Sequence, residues 1–165
     1  MADEALKTAY RTWFPMLREN CRRLLRSSGD AEDVAQETFI RLWQSGPVEG
    51  DARDVTAWIY RISTRLAIDK LRAGRRHGER SAERQTAEDL ASLTPDADDA
   101  LASRQRLERL AAALPADEME MALLSRVDGL TQHEIAEVTQ VSDRTVRRAL
   151  ARLDARVARL RKEEI

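Results

Sequence analysis

Apolar residues return every three or four positions along most of this chain, and fail to do so in one long stretch. The first run carries Leu6, Tyr10, Trp13, Phe14, Leu17, Leu24 and Leu25 and predicts a helix from about residue 4 to 26. Pro15 falls inside it and removes one backbone donor, which predicts a kink or a split. Ser27-Ser28-Gly29-Asp30 ends the run, with Asp30 expected to cap the next helix. There Val34, Phe39, Leu42 and Trp43 form one apolar stripe and leave Glu32, Asp33, Gln36, Glu37 and Arg41 on the other faces. QSGPVEGDARD reads as a loop, and Thr56 or Asp54 as the cap of a third helix ending near residue 75. Its apolar side is Trp58, Ile59, Ile62, Leu66 and Ile68 or Leu71, with Trp58 a core residue rather than a stacking platform.

From Gly74 to about residue 97 the periodicity fades into Ser, Thr, Asp and Glu with Pro95, the composition of a flexible linker. It resumes with Leu101, Leu107 and Leu110, and Pro115 is suited to open a further helix at its first turn. Gly129 is expected to close that helix, and Thr131 with Glu134 has the spacing of a capping box. A short helix with Ile135, Ala136 and Val138 leads through Val141 to a last helix, capped by Ser142 or Asp143. The last helix carries Val146, Leu150, Leu153, Val157 and Leu160. A short helix, a turn and a longer basic helix predict a helix-turn-helix whose second helix enters a major groove. An αα-hairpin that binds protein is the competing reading. Arg144, Arg147, Arg148 and Arg152 at the start of the last helix favour DNA. The fold expected is all-α: two small helical domains, residues 1–76 and 98–165, joined by a linker at 77–97.

Charge sharpens this picture. The net charge of −1 over 165 residues would argue against nucleic acid if it were evenly spread. Residues 61–80 instead hold seven Arg/Lys against two acids, and residues 142–162 hold eight against two. Residues 81–100 carry six acids and one Arg. Phosphate neutralisation acts locally, so two basic helices flanking an acidic connector suit a two-site DNA binder. Two solvated arginine-rich faces would be the blander interpretation.

Other classes are disfavoured. Aromatics are only 4% of the chain while Ala, Leu, Arg and Glu dominate, a helical composition. MADEALKTAY lacks a signal peptide's apolar core, and no apolar run reaches membrane-spanning length. The lone Cys21 permits no internal disulfide and reads as a core residue, so a cytoplasmic protein without membrane insertion is expected. His77 and His133 lack any partner spacing for catalysis or a metal, and there is no Gly-rich phosphate loop. Neither enzymatic activity nor a cofactor is expected.

Three blocks carry a resemblance: DAEDVAQETFIRLW, then AWIYRI with AIDKLR behind it, then ALPADEMEMALLSRVDGLTQHEIAEVTQVSDRTVRRAL. In order and separation they resemble regions 2 and 4 of the bacterial sigma-70 family, in its extracytoplasmic-function (ECF) branch. The resemblance implies a factor that joins core RNA polymerase and directs promoter recognition and opening, held in check by an anti-sigma factor. It assigns Asp33, Gln36, Glu37 and Arg41 to polymerase docking. It assigns Val48, Arg61, Arg65, Lys70, Arg72, Arg75 and Arg76 to the separated minus-ten strand, and Arg144, Thr145, Arg147, Arg148 and Arg152 to the minus-35 element. The chain departs from the family pattern at Val48, where an aromatic is frequent, and at Arg65, where Asn is frequent. It departs again at Thr139 and at Gln140, which replaces the turn Gly. A helix-turn-helix regulator with a dimerising N-terminal module is the alternative, but it would not require the Asp30–Trp43 block.

Overall fold

The computed structural model describes residues 2–45, 51–75 and 100–163, and seven helices make up nearly all of them. They are α1 (Ala2–Leu25), α2 (Ser28–Gln44), α3 (Ala52–Arg75), α4 (Ala100–Ala113), α5 (Ala116–Arg126), α6 (Gln132–Thr139) and α7 (Asp143–Glu163). Among the described residues the fold is all-α, as the periodicity predicts. Val48, Arg76 and the expected linker at 77–97 lie outside the described residues.

The helix boundaries follow local chemistry, with corrections to the sequence reading. Pro15 does not split the first element; α1 runs through it. Arg26 turns the chain with φ 52°, and Ser27, not Asp30, caps α2. Its hydroxyl accepts the Asp30 N–H at 3.5 Å, so Asp30 becomes the acid of the first turn, where the helix dipole favours it. Neither Thr56 nor Asp54 caps α3, which starts at Ala52; the Asp51 carboxylate accepts the Arg53 N–H at 3.4 Å. α3 ends at Arg75 as expected and includes Gly74, where the linker was expected to begin. Pro115 stands just before α5 as its N-cap instead of inside its first turn. Val127, not Gly129, is the C-cap of α5; Gly129 follows two residues later at φ 69°, the left-handed conformation that favours glycine.

α1, α2 and α3 form an N-terminal bundle around Phe14, Leu17, Leu24, Leu25, Val34, Leu42, Ile59, Ile68 and Leu71. Both Ile68 and Leu71 are buried, while Trp58 is half-buried against this core. Cys21 is fully buried here. Inside the bundle the Asn20 amide donates to Ser63 Oγ at 3.1 Å, pinning α1 to α3 through two buried polar groups.

The second half does not hang apart from the first. Leu107, Leu110 and Leu114, with Met119 and Leu123 of α5, join the same apolar cluster, and α4 lies against α3. A Cβ on Gly74 would stand 2.5 Å from Glu108 Oε1, so a side chain there would displace the carboxylate that pairs with Arg104. Arg104 clamps the seam: it donates to the Leu25 carbonyl at 2.8 Å and pairs with Asp30 and Glu108, both at 2.8 Å. A smaller cluster of Leu124, Ile135, Val138, Val146 and Ala149 holds α5, α6 and α7 together.

Candidate functional site

Asp33, Gln36, Glu37 and Arg41 line the exposed crest of α2, because Val34, Phe39 and Leu42 take its other side into the core. Glu37 accepts from Arg41 at 2.7 Å, Gln36 donates to Glu32 at 3.4 Å, and Asp33 lies 3.8 Å from Lys70 of α3. The sequence reading missed an apolar margin beside this crest. Ile40 is 48% exposed and Tyr10, expected in the core stripe, is 45% exposed. Tyr10 stacks on Phe14 at 4.3 Å and meets Phe39 edge-on, so one ring face is covered and the other is not.

Arg61, Arg65 and Arg72 of α3 find acceptors in the second half of the chain. Arg61 donates to the Gln140 side-chain oxygen at 2.6 Å, and Arg65 stands 3.6 Å from Glu120. Arg72 donates to the carbonyls of Ala111 and Leu114 at 2.9 and 3.2 Å, satisfying the end of α4. Arg53, not singled out from sequence, contacts both oxygens of Glu137 at 3.2 and 3.1 Å. Lys70 faces Asp33 instead, and Arg75 lies at the end of α3. Burial raises the Glu120 carboxyl above its usual range, with Arg65 pulling the other way.

Asp128 closes the same seam. Its side chain is fully enclosed and lies 3.5 Å from Arg23 of α1. Burial pushes its pKa up to about 7, against the pull of Arg23. Burial, with a smaller push from Asp128, also takes the Cys21 thiol up to about 12, so this cysteine stays a protonated core residue.

The helix-turn-helix is assembled as its sequence predicts. Thr131 Oγ1 accepts the Glu134 N–H at 3.2 Å while Glu134 accepts the Thr131 N–H at 2.7 Å, a reciprocal box at the head of α6. These bonds hold the Glu134 carboxyl below its usual range. Gln140 takes the left-handed turn position at φ 59°, ψ 36°, although it is not glycine. Thr139, the other departure in this turn, is buried and bonds back to the Ile135 carbonyl at 2.7 Å. Ser142 is the cap of α7, accepting the Thr145 N–H at 3.2 Å, with the Thr145 hydroxyl 2.9 Å away. Val146 is fully buried, whereas Arg144, Thr145, Arg147, Arg148 and Arg152 are exposed. Arg152 leans towards Glu118 at 3.7 Å.

Comparison with known proteins agrees with this architecture. Residues 9–77 match sigma-70 region 2 and residues 104–153 match sigma-70, region 4. The ferric citrate uptake sigma factor FecI of Escherichia coli K12 is 29% identical over 92% of this chain and 92% of its own. The ECF RNA polymerase sigma factor SigL of Mycobacterium tuberculosis H37Rv is 32% identical over 78% of this chain and 75% of its own. The sigma factor RpoE of Bartonella quintana, solved in complex with the anti-sigma factor NepR, superposes with a TM-score of 0.51 at 19% identity. That match covers 94% of this chain and 96% of that one, a likeness of fold. The chain belongs to the sigma-70 family, in its extracytoplasmic-function branch. It is a promoter-recognition factor for RNA polymerase, binding polymerase and promoter DNA, and it is not an enzyme. Among the described residues no helix is long and apolar enough to cross a membrane.

Proposed function

We propose that three surfaces divide the work of initiation in the bacterial cytoplasm. The crest of α2 docks on core polymerase through Asp33, Gln36, Glu37 and Arg41, adjacent carboxylates and an amide suited to forked bonds from arginines. Arg61, Arg65, Lys70, Arg72 and Arg75 of α3, with Val48 and Arg76 beside them in sequence, hold the separated minus-ten strand by its phosphates. The N-terminal part of α7 reads the minus-35 element with Arg144, Thr145, Arg147, Arg148 and Arg152. An anti-sigma factor regulates the chain, as the Bartonella complex illustrates for its own sigma factor.

The observation that carries this reading is the head of α7. Val146 is wholly buried while Arg144, Arg147 and Arg148 around it are exposed, so one capped helix end offers its basic face outward. Run-off transcription with purified core polymerase on genomic fragments is the test, and promoter-specific transcripts are the expected result. Replacing Asp33, Gln36 and Glu37 together with Ala should leave helicity nearly unchanged. It should weaken core binding by up to several kcal/mol, because truncated interfacial charges leave their partners unpaired. Unchanged affinity in a titration against core polymerase would remove α2 from the interface.

A further inference from the structure

His133, the second residue of α6, has no part in the three surfaces above. Its side chain is 66% exposed, yet both ring nitrogens face carboxylates. Nε2 stands 3.4 Å from Glu137 Oε1, one turn along the same helix. Nδ1 stands 3.3 Å from each oxygen of Asp143, the first residue of α7. The ring therefore joins the heads of the two helices of the helix-turn-helix. A neutral imidazole carries one N–H and would turn a bare lone pair towards one of the two carboxylates. Only the imidazolium donates to both. The charged groups around the ring are Glu134 and Glu137 on α6, Asp143 on α7, and Arg53 of α3, which pairs with Glu137.

We propose that His133 is a proton-dependent positioning residue for minus-35 recognition: as an imidazolium it bridges Glu137 and Asp143, fixes the head of α7 against α6, and cancels a carboxylate charge at the DNA-reading end of that helix. This rests on the reading of α7 as the minus-35 helix. In such motifs the first helix crosses the phosphate backbone while the head of the second enters the groove, which brings Asp143 close to phosphates. Exposed ion pairs add little to folding stability. Against DNA the same charge counts for more, because an uncompensated carboxylate opposes the phosphate contacts of Arg144, Arg148 and Arg152. Imidazole changes charge between about pH 5 and 8. The complex holds the proton, so affinity is greatest at the acid end and is lost as pH rises through that range. Burial brings Asp128 into the same range, at about 7, so the test compares chains that all keep Asp128.

The test is equilibrium binding of holoenzyme, core polymerase with the full chain, to a fluorescein-labelled promoter fragment recovered by run-off transcription, at about pH 6 and about pH 8. Three chains are compared: the wild type, His133→Gln, which keeps a polar side chain without charge, and His133→Arg, which keeps donors for both carboxylates and a fixed charge. The position is exposed, so all three should fold. Any pH response of polymerase itself is common to the three. From the lower to the higher pH the wild type should lose roughly fivefold relative to His133→Arg, within the tenfold per unit that one proton allows. His133→Gln should stay weaker than His133→Arg by the same factor at both pH values, with a salt slope shallower by about one. Rescue by a fixed charge at the higher pH is a result that a purely structural histidine would not give. A wild type that keeps a constant ratio to His133→Arg across the range overturns the proposal, as does a His133→Gln chain that follows pH as the wild type does. A fragment with its upstream half scrambled separates the two ideas. If scrambling weakens wild-type binding, the α7 reading stands even where the role of His133 fails; if it changes nothing, both fall.

Discussion

Arg147 and Arg148 are neighbours in sequence but point about 100° apart around α7, so they cannot share one task. Arg147 follows buried Val146 and adjoins Thr145, whose hydroxyl is already engaged by Ser142. Arg147 is therefore the expected reader of base edges, with Arg144, Arg148 and Arg152 on phosphates. Arg147→Ala should flatten the preference at one or two minus-35 positions, a loss of about 1–3 kcal/mol of discrimination, whereas Arg152→Ala should weaken every sequence alike and reduce the salt slope. Binding across a library of minus-35 variants at two salt concentrations decides between them; an equal loss on all sequences would make Arg147 a phosphate anchor. Asp128 offers a second residue-level prediction. Its carboxyl is pushed up to about 7 in the folded chain against 3.8 when free, so the folded form binds the extra proton. Stability should fall as pH rises between those values and level off above about 7. The groups facing it are Arg23, Cys21 and Tyr60. Asp128→Asn should flatten that slope in urea midpoints, and Arg23→Ala should extend it to higher pH.

The helix-turn-helix depends on how α6 enters and leaves its turn. The Thr131–Glu134 box satisfies two amides at the head of an eight-residue helix too short to stand alone. Thr131→Ala should cost about 1 kcal/mol and disorder α6 before α7, visible as faster amide exchange at Ile135 and Ala136. At its other end Gln140 holds a left-handed conformation that a side chain disfavours by about 1–2 kcal/mol relative to glycine. The Arg61 bond to its side chain accompanies that strain. The turn is thus tied to α3, and the element that departs most from its expected sequence is also the one in contact.

Across the whole molecule, one apolar cluster runs from Phe14 to Leu153 through both halves. Domains that share a core unfold together, so urea denaturation followed by circular dichroism and by tryptophan fluorescence should give coincident single transitions. All three tryptophans, Trp13, Trp43 and Trp58, lie in the N-terminal half, so fluorescence reports that half alone. A fluorescence midpoint displaced from the helical one would mean that the halves melt separately.

The sequence by itself determined nearly all the local structure and the class of protein. Helical periodicity placed the elements, the T-Q-H-E spacing gave a capping box, and Val146 could be assigned inward with its arginines outward. These features depend on neighbours within one or two turns, where spacing and backbone geometry suffice. Even locally, Ser27 and Asp30 competed for one cap, because Ser and Asp both favour helix starts and only the packed chain path chose between them. Tyr10 fitted the apolar stripe of α1, yet it stacks on Phe14 of its own helix, meets Phe39 of α2 only edge-on, and stays largely in solvent. What only the tertiary structure decided is where the α3 arginines end: Arg72 on a carbonyl 39 residues away and Arg61 on a side chain 79 residues away. No period in the sequence encodes such pairs. They follow from which apolar faces bury most surface against each other, a sum over the whole fold, and polar side chains then take the acceptors that packing brings within reach.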